Sequence, residues 1–93
     1  MTPTRIVVSS QVRFVSNPEG AVLLHLERGH YQSLNGTGAA IWKEISGGAS
    51  SDEVVTRLCD RYPAMPRERV ETDVSTFLSQ LAARGLVTLE AAP

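Results

Sequence analysis

His30-Tyr31-Gln32-Ser33-Leu34-Asn35-Gly36-Thr37-Gly38-Ala39-Ala40-Ile41-Trp42 is the stretch from which the fold follows. Its first part, Tyr31 to Leu34, suits an extended chain. Asn35-Gly36-Thr37-Gly38 cannot continue a strand comfortably, and Thr37 is placed to cap a helix. The helix runs from about Gly38 to Ile45, where Ile41, Trp42 and Ile45 form one apolar stripe. Ser46-Gly47-Gly48-Ala49 stops it. A strand therefore hands over to a helix within five residues.

Upstream of this junction, Gln11-Val12-Arg13-Phe14-Val15 alternates polar and apolar side chains, the period of a half-buried strand. Ser16-Asn17-Pro18-Glu19-Gly20 is turn chemistry. Ala21 to Leu26 reads as a second strand, with Val22, Leu24 and Leu26 on one face and Ala21, Leu23 and His25 on the other. Apolar content on both faces marks it as central. Glu27-Arg28-Gly29-His30 turns the chain into the third strand, Tyr31 to Leu34. The three make an antiparallel meander whose last strand has an open outer side.

Downstream, Ser50 with Glu53 fits a capping box. The helix it opens buries Val54, Val55, Leu58, Cys59 and Tyr62, and Pro63-Ala64-Met65-Pro66 breaks it. A third helix runs from Pro66 or Arg67 to Arg84, with Gly85 as its stop. Val70, Val74, Phe77, Leu78 and Leu81 fall within a sector of roughly 100° on this helix. Asp73, Gln80 and Arg84 flank the sector on one side. Leu86-Val87-Thr88-Leu89 is read as a short strand or a segment lying on the sheet. Residues 1–5 and 90–93 are expected to be flexible ends of a single domain spanning residues 1–93. The order gives segregated α+β architecture: a three-stranded antiparallel sheet followed by three helices, like a winged helix.

Charge and composition narrow the function. Nine basic against ten acidic side chains leave a net charge of −1, and neither half has the basic excess of a phosphate-backbone binder. A winged-helix nucleic-acid binder is the alternative that the topology alone keeps open, but Arg67, Arg69 and Arg84 on the third helix are offset by Glu68, Glu71 and Asp73. The one cysteine cannot form an internal disulfide. No run of residues is long and apolar enough to span a membrane or to serve as a signal-peptide core, so a cytoplasmic location is expected.

The residues offer little catalytic chemistry. Cys59 as nucleophile with His25 or His30 as base would need exposure, yet it lies in an apolar helix stripe, where a thiol acts as a small hydrophobe. His25 and His30, read as a solvent-facing strand residue and a turn residue, have no further ligands that would make a metal site. Gly36-Thr37-Gly38 precedes a helix but lacks the Lys-Ser/Thr of a phosphate loop. Trp42, beside Ile41 and Ile45, reads as core. The chain is expected to be neither an enzyme nor a cofactor or metal binder.

What remains is an open strand beside an amphipathic helix. An extended peptide can pair with such an edge and drop alternate side chains into an apolar wall. Tyr31 to Leu34 would be the edge, Val74, Phe77, Leu78 and Leu81 the wall, and Asp73, Gln80 and Arg84 the rim. The same four apolar residues would equally serve as core. Pairing of this edge with a second copy of the chain is a further possibility.

The run from His30 to Trp42 resembles the signature of the PqqD-like family, as do Ser51-Asp52-Glu53-Val54-Val55 and the stretch from Val70 through Phe77, Leu78 and Leu81 to Arg84-Gly85-Leu86-Val87. The resemblance covers about residues 5–89. Members are recognition elements for the precursors of ribosomally made, modified peptides. The free-standing form is most similar to the leader-binding proteins of lasso-peptide biosynthesis. The resemblance implies that a leader peptide docks as a fourth strand on the third strand, in the cleft against the third helix. Its backbone partners would be Tyr31, Gln32, Ser33 and Leu34, with Val74, Phe77, Leu78 and Leu81 lining the pocket. It also implies a cofactor-free adaptor, expected to be a monomer, that presents the peptide to a separate leader peptidase and cyclase.

Overall fold

A computed structural model of the chain describes residues 4–18 and 20–91. Its elements are β1 (Thr4–Val8), β2 (Val12–Asn17), β3 (Gly20–His25), β4 (His30–Leu34), α1 (Gly36–Ser46), α2 (Ser51–Arg61), α3 (Arg67–Ala83) and β5 (Val87–Ala91). The expected meander is present as the antiparallel sheet β2-β3-β4, with β3 central. Gly29, at φ 70°, takes the left-handed conformation that closes the β3–β4 turn, and its N–H donates to the His25 carbonyl at 2.8 Å.

A second sheet was not expected. β1 pairs antiparallel with β5 from Thr4↔Ala91 to Val8↔Val87. Thr4 and Arg5 at one end, and Glu90 and Ala91 at the other, are therefore strand residues rather than loose ends. Residues 1–3 and 92–93, expected to be flexible, lie outside the described residues. The ribbon closes the bottom of the core: Leu86 and Val87 are buried, and Ile6 and Val8 pack against the same cluster.

The helices are built as their sequences dictate, with one correction. The α1 cap is Asn35, not Thr37: its side chain accepts from the Gly38 N–H at 2.8 Å, and the cap lies two residues earlier than expected. The α2 capping box is complete, since Ser50 Oγ accepts from the Glu53 N–H and the Glu53 carboxylate accepts from the Ser50 N–H. That backbone donor is the main reason the Glu53 carboxyl sits below its ordinary value. Gly85, two residues after the end of α3, stops the helix: its φ of 74° lets the Leu86 N–H reach back to the Leu81 carbonyl at 3.0 Å. Ser50→Ala should cost about 1 kcal/mol, a fall of about 4–8 °C in melting temperature by calorimetry. An unchanged melting temperature would show that the box contributes nothing.

The core forms where the sheet's inner face meets the three helices. Leu23, Ile41, Ile45, Val54, Val70, Val74 and Leu81 are fully or almost fully buried, and Trp42 joins them as expected. His25 departs from expectation. It is buried, 5% exposed, on the inner face with Ala21 and Leu23. Its Nδ1 accepts from the Arg28 N–H at 3.2 Å, which gives that ring nitrogen a partner. Val22, Leu24 and Leu26 take the outer face, and Leu26 is 53% exposed.

Candidate functional site

The site begins with the direction of backbone groups on β4. The Leu26 N–H, one residue beyond β3, donates to the Gln11 carbonyl on the β2 side. Successive residues of a strand aim their N–H and C=O groups to opposite sides. Gly20, Val22 and Leu24 therefore bond toward β2, and Ala21, Leu23 and His25 toward β4. The β4 partners of these last three are Leu34, Gln32 and His30. The alternation leaves the backbone groups of Tyr31 and Ser33 aimed away from the sheet. Of the four residues expected as backbone partners of a peptide, Gln32 and Leu34 thus already spend their groups on β3. Among the described residues no strand covers the outer side of β4, since β5 pairs with β1.

Side chains on β4 follow the same alternation. Tyr31, 64% exposed, and Ser33 point to the outer face, while His30, Gln32 and Leu34 point inward toward the helices. Gln32 is held in an unusual way. Its Nε2 donates to the Ser33 carbonyl of its own strand at 3.3 Å, and its Oε1 is buried with no donor.

α3 lies beside this edge. Its main packing is against α2 and β5. Two points fix its placement. At the start of β4, His30 Nε2–H donates to the Arg84 carbonyl at 3.2 Å; a carbonyl can only accept, so the ring proton must sit on Nε2. This bond gives an end-of-helix carbonyl a partner. Beyond the end of β4, a β-carbon placed on Gly38 would meet Phe77 Cε1 at 3.4 Å and Leu34 Cδ2 at 3.5 Å. The stretch from Phe77 to Arg84 thus runs antiparallel to β4.

α3 carries two adjacent stripes, where the sequence suggested one. Val70, Val74, Leu78 and Leu81 are buried and hold the helix in the core. Asp73, Phe77, Gln80 and Arg84, spaced four, three and four apart, form the neighbouring stripe toward β4. Of the four apolar residues expected to line the cleft, Val74, Leu78 and Leu81 are thus core, and only Phe77 is part-exposed. Asp73, Gln80 and Arg84 are exposed, as a rim requires, and Arg69 Nε approaches Asp73 at 3.9 Å. The tie between His30 and Arg84 carried no signal in the sequence, because it joins residues 54 apart.

Other features do not converge on chemistry. Two concavities, of about 420 and 430 Å³, lie elsewhere: one between α2, α3 and Leu89 on the far flank of α3, and one beside β1. Neither adjoins the β4 edge. Cys59 is half-buried, and the described residues contain no group of three or more side chains able to hold a metal. Among them no helix is long and apolar enough to cross a membrane.

The family model described as coenzyme PQQ synthesis protein D (PqqD) matches residues 20–87. The chain is similar to the solved structure of TbiB1 in complex with the TbiA(beta) leader peptide, at 33% identity and a TM-score of 0.81, covering 87% of this chain and 93% of that one. It is also similar to a lasso peptide synthetase B1 complexed with the leader peptide, at 25% identity and a TM-score of 0.81, covering 89% and 96%. No curated protein sequence matches it.

Proposed function

The chain belongs to the PqqD family, and from that premise we propose that it binds the leader of a ribosomally made precursor peptide, of the lasso class, as an added strand on β4. The observation that carries the reading is the free outer side of β4 beside the second stripe of α3. The Tyr31 and Ser33 backbone groups supply hydrogen bonds to the incoming strand. Phe77 supplies the apolar wall, and Asp73, Gln80 and Arg84 supply the rim. Val74, Leu78 and Leu81 support the wall from behind. Two similar proteins solved with leader peptides support this reading.

The module contributes no catalytic group in this proposal. It acts as a monomeric adaptor that raises the local concentration of precursor at a separate leader peptidase and cyclase. A nucleic-acid role has no support: the net charge is −1, and on α3 Arg67 pairs with Glu71 and Arg69 approaches Asp73.

β2 also has a free edge, but among the described residues no helix flanks it as α3 flanks β4. A synthetic leader peptide of its own precursor, titrated by fluorescence anisotropy, should bind with a dissociation constant of about 0.1–1 µM. Amide shifts on binding should cluster at Tyr31, Ser33, Phe77 and Arg84. Absence of binding at about 100 µM, or shifts confined to the β2 edge, would overturn the reading.

A further inference from the structure

Gln32 sits midway along β4, between the His30 contact with Arg84 and the Leu34 contact near Phe77. Its side chain is on the inner face, so it reaches the floor of the space between β4 and α3. Its hydrogen bonding there is incomplete. The amide nitrogen is folded back onto the Ser33 carbonyl, and the amide oxygen is buried without a donor. A buried acceptor left without a donor is a liability that folded proteins ordinarily avoid. The Ser33 carbonyl is also one of the few β4 groups aimed at the open edge. In the free protein, then, Gln32 masks an acceptor that an added strand would need.

Resting on the leader-binding reading above, we propose that Gln32 is a specificity-determining residue of this cleft. On docking, a backbone N–H of the peptide takes over the Ser33 carbonyl. The released Gln32 amide swings into the cleft and accepts, through Oε1, a hydrogen bond from a donor side chain of the peptide: a hydroxyl, an amide or an indole N–H. A peptide with an aliphatic residue at that position would leave the amide oxygen unpaired a second time. Such a peptide is rejected by the loss of a hydrogen bond rather than by a clash.

The test is Gln32→Met, which keeps side-chain length and removes both hydrogen-bonding groups. The probe is the synthetic leader already described. Affinity should fall about tenfold, the size of one hydrogen bond with a buried partner. The melting temperature of the free protein should change little, because the bond lost to the Ser33 carbonyl is solvent-exposed and the unpaired buried oxygen is removed with it. In an alanine scan of the peptide, one position should weaken binding to the wild type and have no effect on Gln32→Met. On the wild type, the Gln32 side-chain amide doublet should shift on titration, a readout that does not depend on the variant folding. A dissociation constant within about twofold of wild type, or an unmoved doublet, would overturn the proposal while the function stands. A wild type that binds no leader would overturn both.

Discussion

Ser33→Pro should weaken leader binding by about a hundredfold or more while leaving a folded protein with a melting temperature within a few degrees of wild type. The expectation follows from strand alternation. The Ser33 N–H is aimed at the open side of β4, so proline there removes no bond from the β3–β4 ladder. It does remove a donor to the incoming strand and places a ring where that strand must approach. An unpaired carbonyl in a closed interface costs about 1–3 kcal/mol. The steric term adds to this, and about 2.7 kcal/mol corresponds to a hundredfold.

The neighbouring position supplies the control. Gln32 faces β3 and pairs there with Leu23, the deepest residue of the sheet. Gln32→Pro breaks the ladder and should unfold the domain or lower its melting temperature sharply. Anisotropy and thermal melts on the two variants, side by side, read out the direction of the strand. If Ser33→Pro binds normally, the peptide does not use this edge. If Ser33→Pro unfolds while Gln32→Pro does not, the alternation is the reverse of the one that the Leu26 hydrogen bond to Gln11 implies.

Local signals in the sequence were read well because local physics decides them. The Ser50–Glu53 box, the stop at Gly85 and the β3–β4 turn each depend on residues within a few positions of one another. The β1–β5 ribbon does not. Ile6-Val7-Val8 has no partner nearby and no turn that announces one, and its pairing with residues more than 75 positions away becomes visible only once the helices bring the ends together. His25 shows a different limit. Alternation correctly grouped it with Ala21 and Leu23, but both faces of that strand are apolar. The choice of buried face falls to the helices that follow, not to the strand's own pattern. Asn35 and Thr37 were both acceptable caps by residue type, and only the position of the Gly38 N–H separates them.

The candidate site was legible as an edge and a helix, but not residue by residue. A sector of roughly 100° on α3 is wide enough to hold both a core stripe and the edge of a cleft stripe. Leu81 belongs to the first and is 0% exposed; Phe77 belongs to the second and is only part-buried. The distinction predicts opposite behaviour of two similar truncations. Leu81→Ala should cost about 2–5 kcal/mol of stability, because the cavity it leaves is closed on all sides. Marginal domains hold only about 5–15 kcal/mol in total, so the melting temperature should fall by tens of degrees. The protein that remains folded at low temperature should still bind leader. Phe77→Ala loses less on folding, because part of the ring already faces water: about 1–2 kcal/mol by area burial. Its binding should fall about tenfold or more, as expected for an aromatic anchor in a peptide groove. Thermal melts and anisotropy at low temperature separate the two effects. Should Phe77→Ala melt as early as Leu81→Ala and its folded fraction bind with wild-type affinity, the ring belongs to the core. The peptide would then have no apolar wall on α3.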